Sequence, residues 1–145
     1  MAARAELLLA LAAVPESLAR ERPGSGEGES AWSAYEVARH VLAYTANVSE
    51  VVRATAASRT APKDPRGTLA PDPALSYRDL RRAIVEESAK LATLHLELPP
   101  QPGVETTVDH AFFGPLHARA WYAFFEVHDS DHARQLRSLG SGKAV

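Results

Sequence analysis

Residues 33–52 read SAYEVARHVLAYTANVSEVV, and this stretch carries the clearest structural signals in the chain. Ser33 and Glu36 have the spacing of a capping box, in which each side chain accepts a hydrogen bond from an exposed backbone N–H group near the other residue. Apolar residues then recur every three or four positions, which predicts an amphipathic helix to about Ser58. We therefore interpret Glu36 as a capping residue rather than a metal ligand.

Prolines and glycines divide the rest of the 145 residues into three further predicted helices. The first spans about 5–22 and should kink or restart at Pro15, because proline removes a backbone donor and clashes with the preceding turn. The next follows a serine cap and keeps one face apolar over about 76–98. The last is predicted over about 114–138, where a proline suits the first helical position.

These helices predict an all-α fold, a four-helix bundle with long crossover connections. No segment shows a convincing alternation of apolar and polar residues, so we expect no strands. The connection over residues 59–75 contains four prolines and is unusually long for a compact domain. The length of the chain suits one domain, which we place at residues 1–145.

Composition excludes several classes of function. The chain is 46% hydrophobic and 23% charged, with a net charge of −2, no basic block and no cysteine. These values argue for a globular core and against nucleic-acid binding, disulfides and thiolate chemistry. Glu6 and Pro15 flank the early apolar run, so we do not interpret it as a signal peptide. No run is long enough to span a bilayer, so we expect a cytoplasmic protein with no membrane partner.

Histidines provide the candidate metal ligands. His128 and His132 are four residues apart, so on a helix their side chains lie on one face, about 5–6 Å apart at Cβ. Two imidazoles at that distance can bind one ion, and a third ligand should come from a facing helix. His40, which borders the valine stripe of the second helix, is the best candidate. The same spacing is also common on helices without metal.

Other aromatic and histidine residues are candidates for lining a pocket or orienting the ligands. Trp121 and His117 share nearly one helical stripe with His128, and they are possible pocket residues, although Trp121 is also a typical core residue. His110 has no assigned role. The neighbours Asp129, Asp131 and Gln135 can be proposed as acceptors for the second ring nitrogens of the ligating histidines. These acceptors would fix the orientation of each imidazole.

Two longer motifs resemble those of the DinB-like (YfiT-like) bundle proteins. Residues 32–41 (WSAYEVARHV) are similar to the signature W-S-x-x-E-V-x-x-H-L of that family, and residues 128–136 (HDSDHARQL) to its ending H-D-x-x-H-x-x-Q-[LI]. Residues 110–116 (HAFFGPL) resemble the lead-in H-P-x-F-G-x-L of one subgroup, with Ala111 in place of proline. The motifs occur in the family's order and separation.

The resemblance implies a four-helix bundle, often dimeric, so we expect a homodimer. It also implies a zinc or nickel site formed by His40, His128 and His132. Many members carry an acidic residue five positions after the first ligand, where this chain has Thr45. The resemblance therefore supports the metal site more firmly than it supports any one activity.

The resemblance further implies a metal-dependent enzyme with a small-molecule substrate, and thiol-S-transferase activity is the leading hypothesis. Members transfer low-molecular-weight thiols to electrophiles or catalyse thiol-dependent isomerisation. Two alternatives stay open. One is a metal-dependent hydrolase of a small amide or ester, and the other is a non-catalytic, metal-binding or stress-associated helical bundle.

Overall fold

The computed structural model describes residues 2–62, 69–101 and 103–140. Over these residues the chain forms four α-helices and one β-hairpin. The elements, in chain order, are α1 (Ala2–Ala13), α2 (Ala34–Ala56), α3 (Tyr77–Thr93), β1 (Thr107–His110), β2 (Gly114–His117) and α4 (Ala118–Gly140). The prediction of an all-α, four-helix fold is confirmed, with the hairpin as an addition. Part of the predicted crossover, residues 63–68, lies outside the described residues.

The first helix is shorter than its sequence pattern predicts. Helix α1 ends at Ala13, and residues 16–20 form turns, so the prediction of a helix to about residue 22 is wrong. The residue before a proline disfavours the helical conformation, and Pro15 therefore ends the helix instead of kinking it. The turn that follows is anchored on α2, because the Tyr35 N–H donates to the Ala19 carbonyl at 2.7 Å.

The cap predictions for the two middle helices are confirmed. Ser33 and Glu36 form the reciprocal capping box at the start of α2, and Arg22 forms an ion pair with the same glutamate. Ser76 caps α3 by accepting a hydrogen bond from the Asp79 N–H at 3.0 Å. These contacts satisfy backbone donors that have no partner inside a helix.

The hairpin was not predicted, and it changes where the last helix begins. Strands β1 and β2 pair antiparallel, and Asp109 lies opposite Pro115 in the register. Gly114 adopts a φ of +68°, a left-handed value that suits glycine at a tight turn. Residues 114–117 are therefore a strand, and α4 begins at Ala118 rather than at the predicted Gly114–Pro115.

The interior contains two apolar clusters with buried polar side chains near their boundary. One cluster includes Leu7 of α1 and Val37 of α2, and the other includes Val48 of α2 and Phe125 of α4. The buried polar residues between them along α2 and α4 are His40, Thr45, His128, Asp129 and His132. Within the described ranges, no helix combines the length and the apolar character that membrane crossing requires.

Candidate metal centre

Three buried histidines from two helices converge in the middle of the bundle. His40 lies on α2, and His128 and His132 lie one turn apart on α4. The Nε2 atoms of His40 and His128 are 3.1 Å apart, and each of the three residues offers a ring nitrogen within 4.8 Å of those of the other two. The structure thus brings together the three histidines that the sequence pointed to.

Aromatic neighbours fix the orientation of the two facing imidazoles. The ring of Tyr44 stacks on His128 with centroids 3.9 Å apart and an angle of 7° between the planes. Trp32 packs against His40 with centroids 5.0 Å apart. Because these contacts restrict ring rotation, the nitrogen atoms are held in position before any ligand arrives.

Two side-chain oxygens on α4 lie beside the Nδ1 atoms of His128 and His132. His128 Nδ1 lies 3.1 Å from Asp129 Oδ1, and His132 Nδ1 lies 3.0 Å from Gln135 Oε1. The Gln135 amide in turn donates to the Glu29 carbonyl at 2.6 Å, which orients its oxygen toward the histidine. Both histidines therefore carry their proton on Nδ1, and each presents an Nε2 lone pair toward the centre. Asp129 and Gln135 are confirmed as such acceptors.

Asp131, the third proposed acceptor, has a different environment. Its carboxylate is exposed and pairs with Arg134 at 2.9 Å. The side chain is therefore a solvated surface group that offers a control position close to the site.

A buried arginine supports the carboxylate behind His128. Arg4 of α1 is 3% exposed, and its Nε and Nη2 donate to the two carboxylate oxygens of Asp129 at 2.6 and 3.0 Å. Its Nη1 donates to the hydroxyls of Thr45 at 3.1 Å and Ser88 at 3.4 Å. Arg4 of α1 thus contacts α2, α3 and α4, and it holds Asp129, the residue that contacts His128.

Burial dominates the electrostatics of this carboxylate. Desolvation raises the pKa of Asp129 to about 6, although the Arg4 guanidinium opposes the shift. Asp129 is therefore ionised at neutral pH and accepts the Nδ1 proton of His128. Arg4 was not identified from the sequence, although it shares one stripe of α1 with buried Leu7 and Leu11. A charge on an apolar stripe indicates a buried partner.

The donor set fits a divalent metal ion. Three imidazole nitrogens are ligands that zinc, nickel and copper accept, and two of the three rings have the fixed Nδ1 contact typical of metal-binding histidines. The His40–His128 distance of 3.1 Å is compatible with two nitrogens on one ion at about 2.0–2.1 Å each. His40, His128 and His132 are thus the residues that could hold a metal.

The pH dependence of stability should include a term from His132. Burial lowers the pKa of His132 below its ordinary value, so the folded protein resists a proton that the unfolded chain accepts near pH 6.5. The His132 contribution to the unfolding free energy should therefore fall as the pH drops from about 7.5 to 6. The raised pKa of Asp129 acts in the opposite direction over the same interval, so the His132 contribution is the difference between the thermal midpoints of wild type and a His132 variant, measured with chelator present.

The variant His132→Gln should lose this contribution, because it removes the titrating ring, so its thermal midpoint should decrease less than that of wild type, or increase, as the pH drops over the same interval. Exposed His95 provides the matched control, and His95→Gln should keep the wild-type slope. An unchanged slope in His132→Gln would contradict the assignment.

A cavity of about 940 Å³ opens beside the histidines. His40, His128 and His132 all line it, together with Tyr44 and a set of apolar and polar side chains from the hairpin, α4 and the segment before α2. Its volume lies in the range of small-molecule sites, about 300–1,000 Å³. A ligand in this cavity would have access to all three rings.

The two pocket candidates from the sequence lie elsewhere. Trp121 is fully buried, and its indole N–H donates to the Val108 carbonyl at 3.2 Å, so it joins α4 to the hairpin. His117 ends β2, where its Nδ1 accepts from the Ala120 N–H at 3.3 Å. Among the residues that the structure describes, neither lines the cavity. His117 was placed on the helical stripe only because α4 was predicted to begin too early.

His110 has a structural role in the hairpin turn. It is 2% exposed, and its Nδ1 accepts the N–H groups of Phe112 and Phe113, each at 3.3 Å. Its ring contacts Phe124 and Trp121 of α4, with centroids 4.4 and 5.1 Å away. His110 therefore fixes the hairpin turn to the last helix.

Comparison with known proteins shows the family of the chain. A family model described as the DinB superfamily matches residues 2–136, nearly the whole chain. No curated protein and no solved structure matches the chain.

Proposed function

The chain belongs to the DinB superfamily, and from that premise we propose that it is a divalent-metal-dependent enzyme. Its metal ligands are His40, His128 and His132, and its reaction is the transfer of a low-molecular-weight thiol to an electrophilic small molecule. The resemblance of its motifs supplies the reaction class, and zinc and nickel are the proposed ions. The enzyme acts as a homodimer in this proposal.

One observation carries the proposal, namely that the three-histidine group forms part of the wall of a large cavity. Structural zinc sites normally have four protein ligands, whereas catalytic sites use three and keep a position open. A divalent ion, when bound here, would lower the pKa of a thiol or water and so supply a nucleophile near neutral pH. A site built only for stability would have no need of an adjoining cavity.

The residues of the chain prepare this site in three ways. Asp129 and Gln135 hold the Nδ1 protons of His128 and His132, so the Nε2 atoms stay available. Tyr44 covers one face of the His128 ring and excludes water from it. The cavity provides room for two small reactants beside the histidines, which favours reaction by proximity.

The proposal predicts thiol conjugation that depends on both metal and His128. Metal-loaded protein, a small thiol and a chromogenic electrophile should give conjugation that falls by more than about a hundredfold in His128→Ala, as expected when an essential group of a catalytic unit is removed. Exposed His95 again provides the control, and His95→Ala should retain wild-type activity.

Three outcomes decide between the functions considered. Conjugation that persists unchanged after metal removal would contradict the proposal. Metal-dependent cleavage of a chromogenic ester without added thiol would support the hydrolase alternative instead. Stoichiometric metal binding without turnover in either assay would support a non-catalytic metal-binding bundle.

A further inference from the structure

Two phenylalanines at the hairpin turn are exposed. Phe112 and Phe113 are 78% and 62% exposed, although turns usually carry polar residues. They are also held in place, because the buried ring of His110 accepts both of their N–H groups. An exposed aromatic pair on a fixed turn is typical of a binding surface.

The same two residues line the cavity beside the histidines. Phe124 and Val127 of α4 continue this apolar wall, and the Phe113 and Phe124 rings meet edge to face with centroids 5.7 Å apart. We call these four residues the aromatic wall. Because Phe113 packs against Phe124 and His110, its ring forms a side of the cavity.

The cavity changes character along α4. Phe124 and Val127 lie at one end, and His128, Asp131 and His132 follow. The other end of the α4 lining has three polar residues and one apolar residue, namely Arg134, Gln135, Ser138 and Leu139. At 1.5 Å per residue, the α4 part of the lining from Phe124 to Leu139 extends over about 22 Å. The histidines therefore lie between an apolar end and an end with mostly polar side chains.

We propose that the aromatic wall is a subsite for an aromatic or branched apolar group of the substrate. This inference rests on the proposed function and narrows its substrate class to a small amphiphile. The apolar group contacts Phe112 and Phe113, the reactive centre faces the histidines, and the polar end points toward Arg134 and Ser138. Burial of the exposed rings by the ligand supplies binding free energy, and the edge-to-face geometry favours aromatic groups.

The test uses metal-free protein and a neutral naphthylamine dye whose fluorescence rises in apolar surroundings. The double variant Phe112→Ser/Phe113→Ser should bind the dye about tenfold more weakly, since two aromatic contacts are lost. Val127 is half-exposed and lies on α4, across the wall from the hairpin turn, and Val127→Glu should weaken dye binding similarly. The matched control is Leu9→Ser/Leu96→Ser, which removes two other exposed apolar side chains, 70% and 73% exposed, and should leave dye affinity unchanged.

The outcomes separate this inference from the proposed function. Equal dye affinity in wild type and both wall variants would overturn the subsite, whatever the metal-dependent activity. If the wall variants lose dye binding but the wild-type protein shows no conjugation activity, the subsite is supported and only the proposed transferase activity is contradicted. A double variant that changes oligomeric state in sedimentation but binds dye normally would also overturn it, because the phenylalanines would then be a contact between copies.

Discussion

Replacing Arg4 with methionine is expected to lower the unfolding free energy by about 3–5 kcal/mol, the usual cost of removing one partner from a buried ion pair. The variant would leave the Asp129 carboxylate, 1% exposed, without its bidentate donor. It would also remove the donor to Thr45 and Ser88. Urea denaturation of metal-free protein at pH 7.5 measures the loss.

Two controls separate the lost charge from lost packing. The double variant Arg4→Met/Asp129→Leu removes both charges and should recover most of the stability, because a buried pair and an apolar replacement are often similar in free energy. Thr45→Val/Ser88→Ala leaves the ion pair intact and should cost less than the single Arg4 variant. If Arg4→Met/Asp129→Leu loses as much unfolding free energy as Arg4→Met and Asp129→Leu lose together as single variants, the two residues are not coupled.

The sequence predicts those features of the fold that local contacts determine. The two residues of each cap, Ser33 with Glu36 and Ser76 with Asp79, are three positions apart in the chain, and these caps predict the starts of α2 and α3 correctly. Apolar stripes at helical spacing similarly identified the core faces. Such signals need no knowledge of what packs against them.

The hairpin depends on contacts that local patterns do not show. Each strand has four residues, too few for a convincing alternation. Pro115 has the local signature of a helix start, but here it lies in a two-stranded sheet, where both strands are edges and a missing N–H is tolerated. The hydrogen bond from Trp121 to Val108, which joins the hairpin to α4, comes only with tertiary folding.

The candidate site divides in the same way. The His128–His132 spacing follows from helix geometry, and so do their contacts with Asp129 and Gln135, which lie at most three residues away. The position of His40 relative to them depends on how α2 packs on α4, and it could be predicted only from the bundle architecture and the family resemblance. Arg4 lies 125 residues from Asp129, so only the closed bundle reveals their contact.

A graded loss of metal affinity is the second large effect that we expect. Replacing a ligand removes a coordinating nitrogen, whereas replacing the group behind it leaves the nitrogen and changes only its orientation. Partners behind metal-binding histidines contribute about 10–100-fold in affinity. Ligand variants should therefore lose more than that.

The expected order tests the ligand set directly. His40→Ala, His128→Ala and His132→Ala should each weaken zinc or nickel binding by more than about a hundredfold. Gln135→Leu removes the acceptor for His132 Nδ1, and its metal affinity should lie between that of the histidine variants and that of wild type. Asp131→Asn removes an exposed charge that pairs with Arg134 and lies near His132, and because solvent screens this charge the variant should bind metal nearly as tightly as wild type.

Competition against a chromophoric chelator measures these affinities. The thermal midpoint with and without metal gives an independent measurement, because a metal ion that binds only the folded state stabilises it by mass action. His40 is the decisive residue, since the two histidines of α4 could also share an ion without it. If His40→Ala binds metal as tightly as Asp131→Asn does, α2 contributes no ligand, and the site reduces to a two-histidine pair on one helix. A large loss for all three histidines, with an intermediate loss for Gln135→Leu, requires a centre that joins α2 to α4.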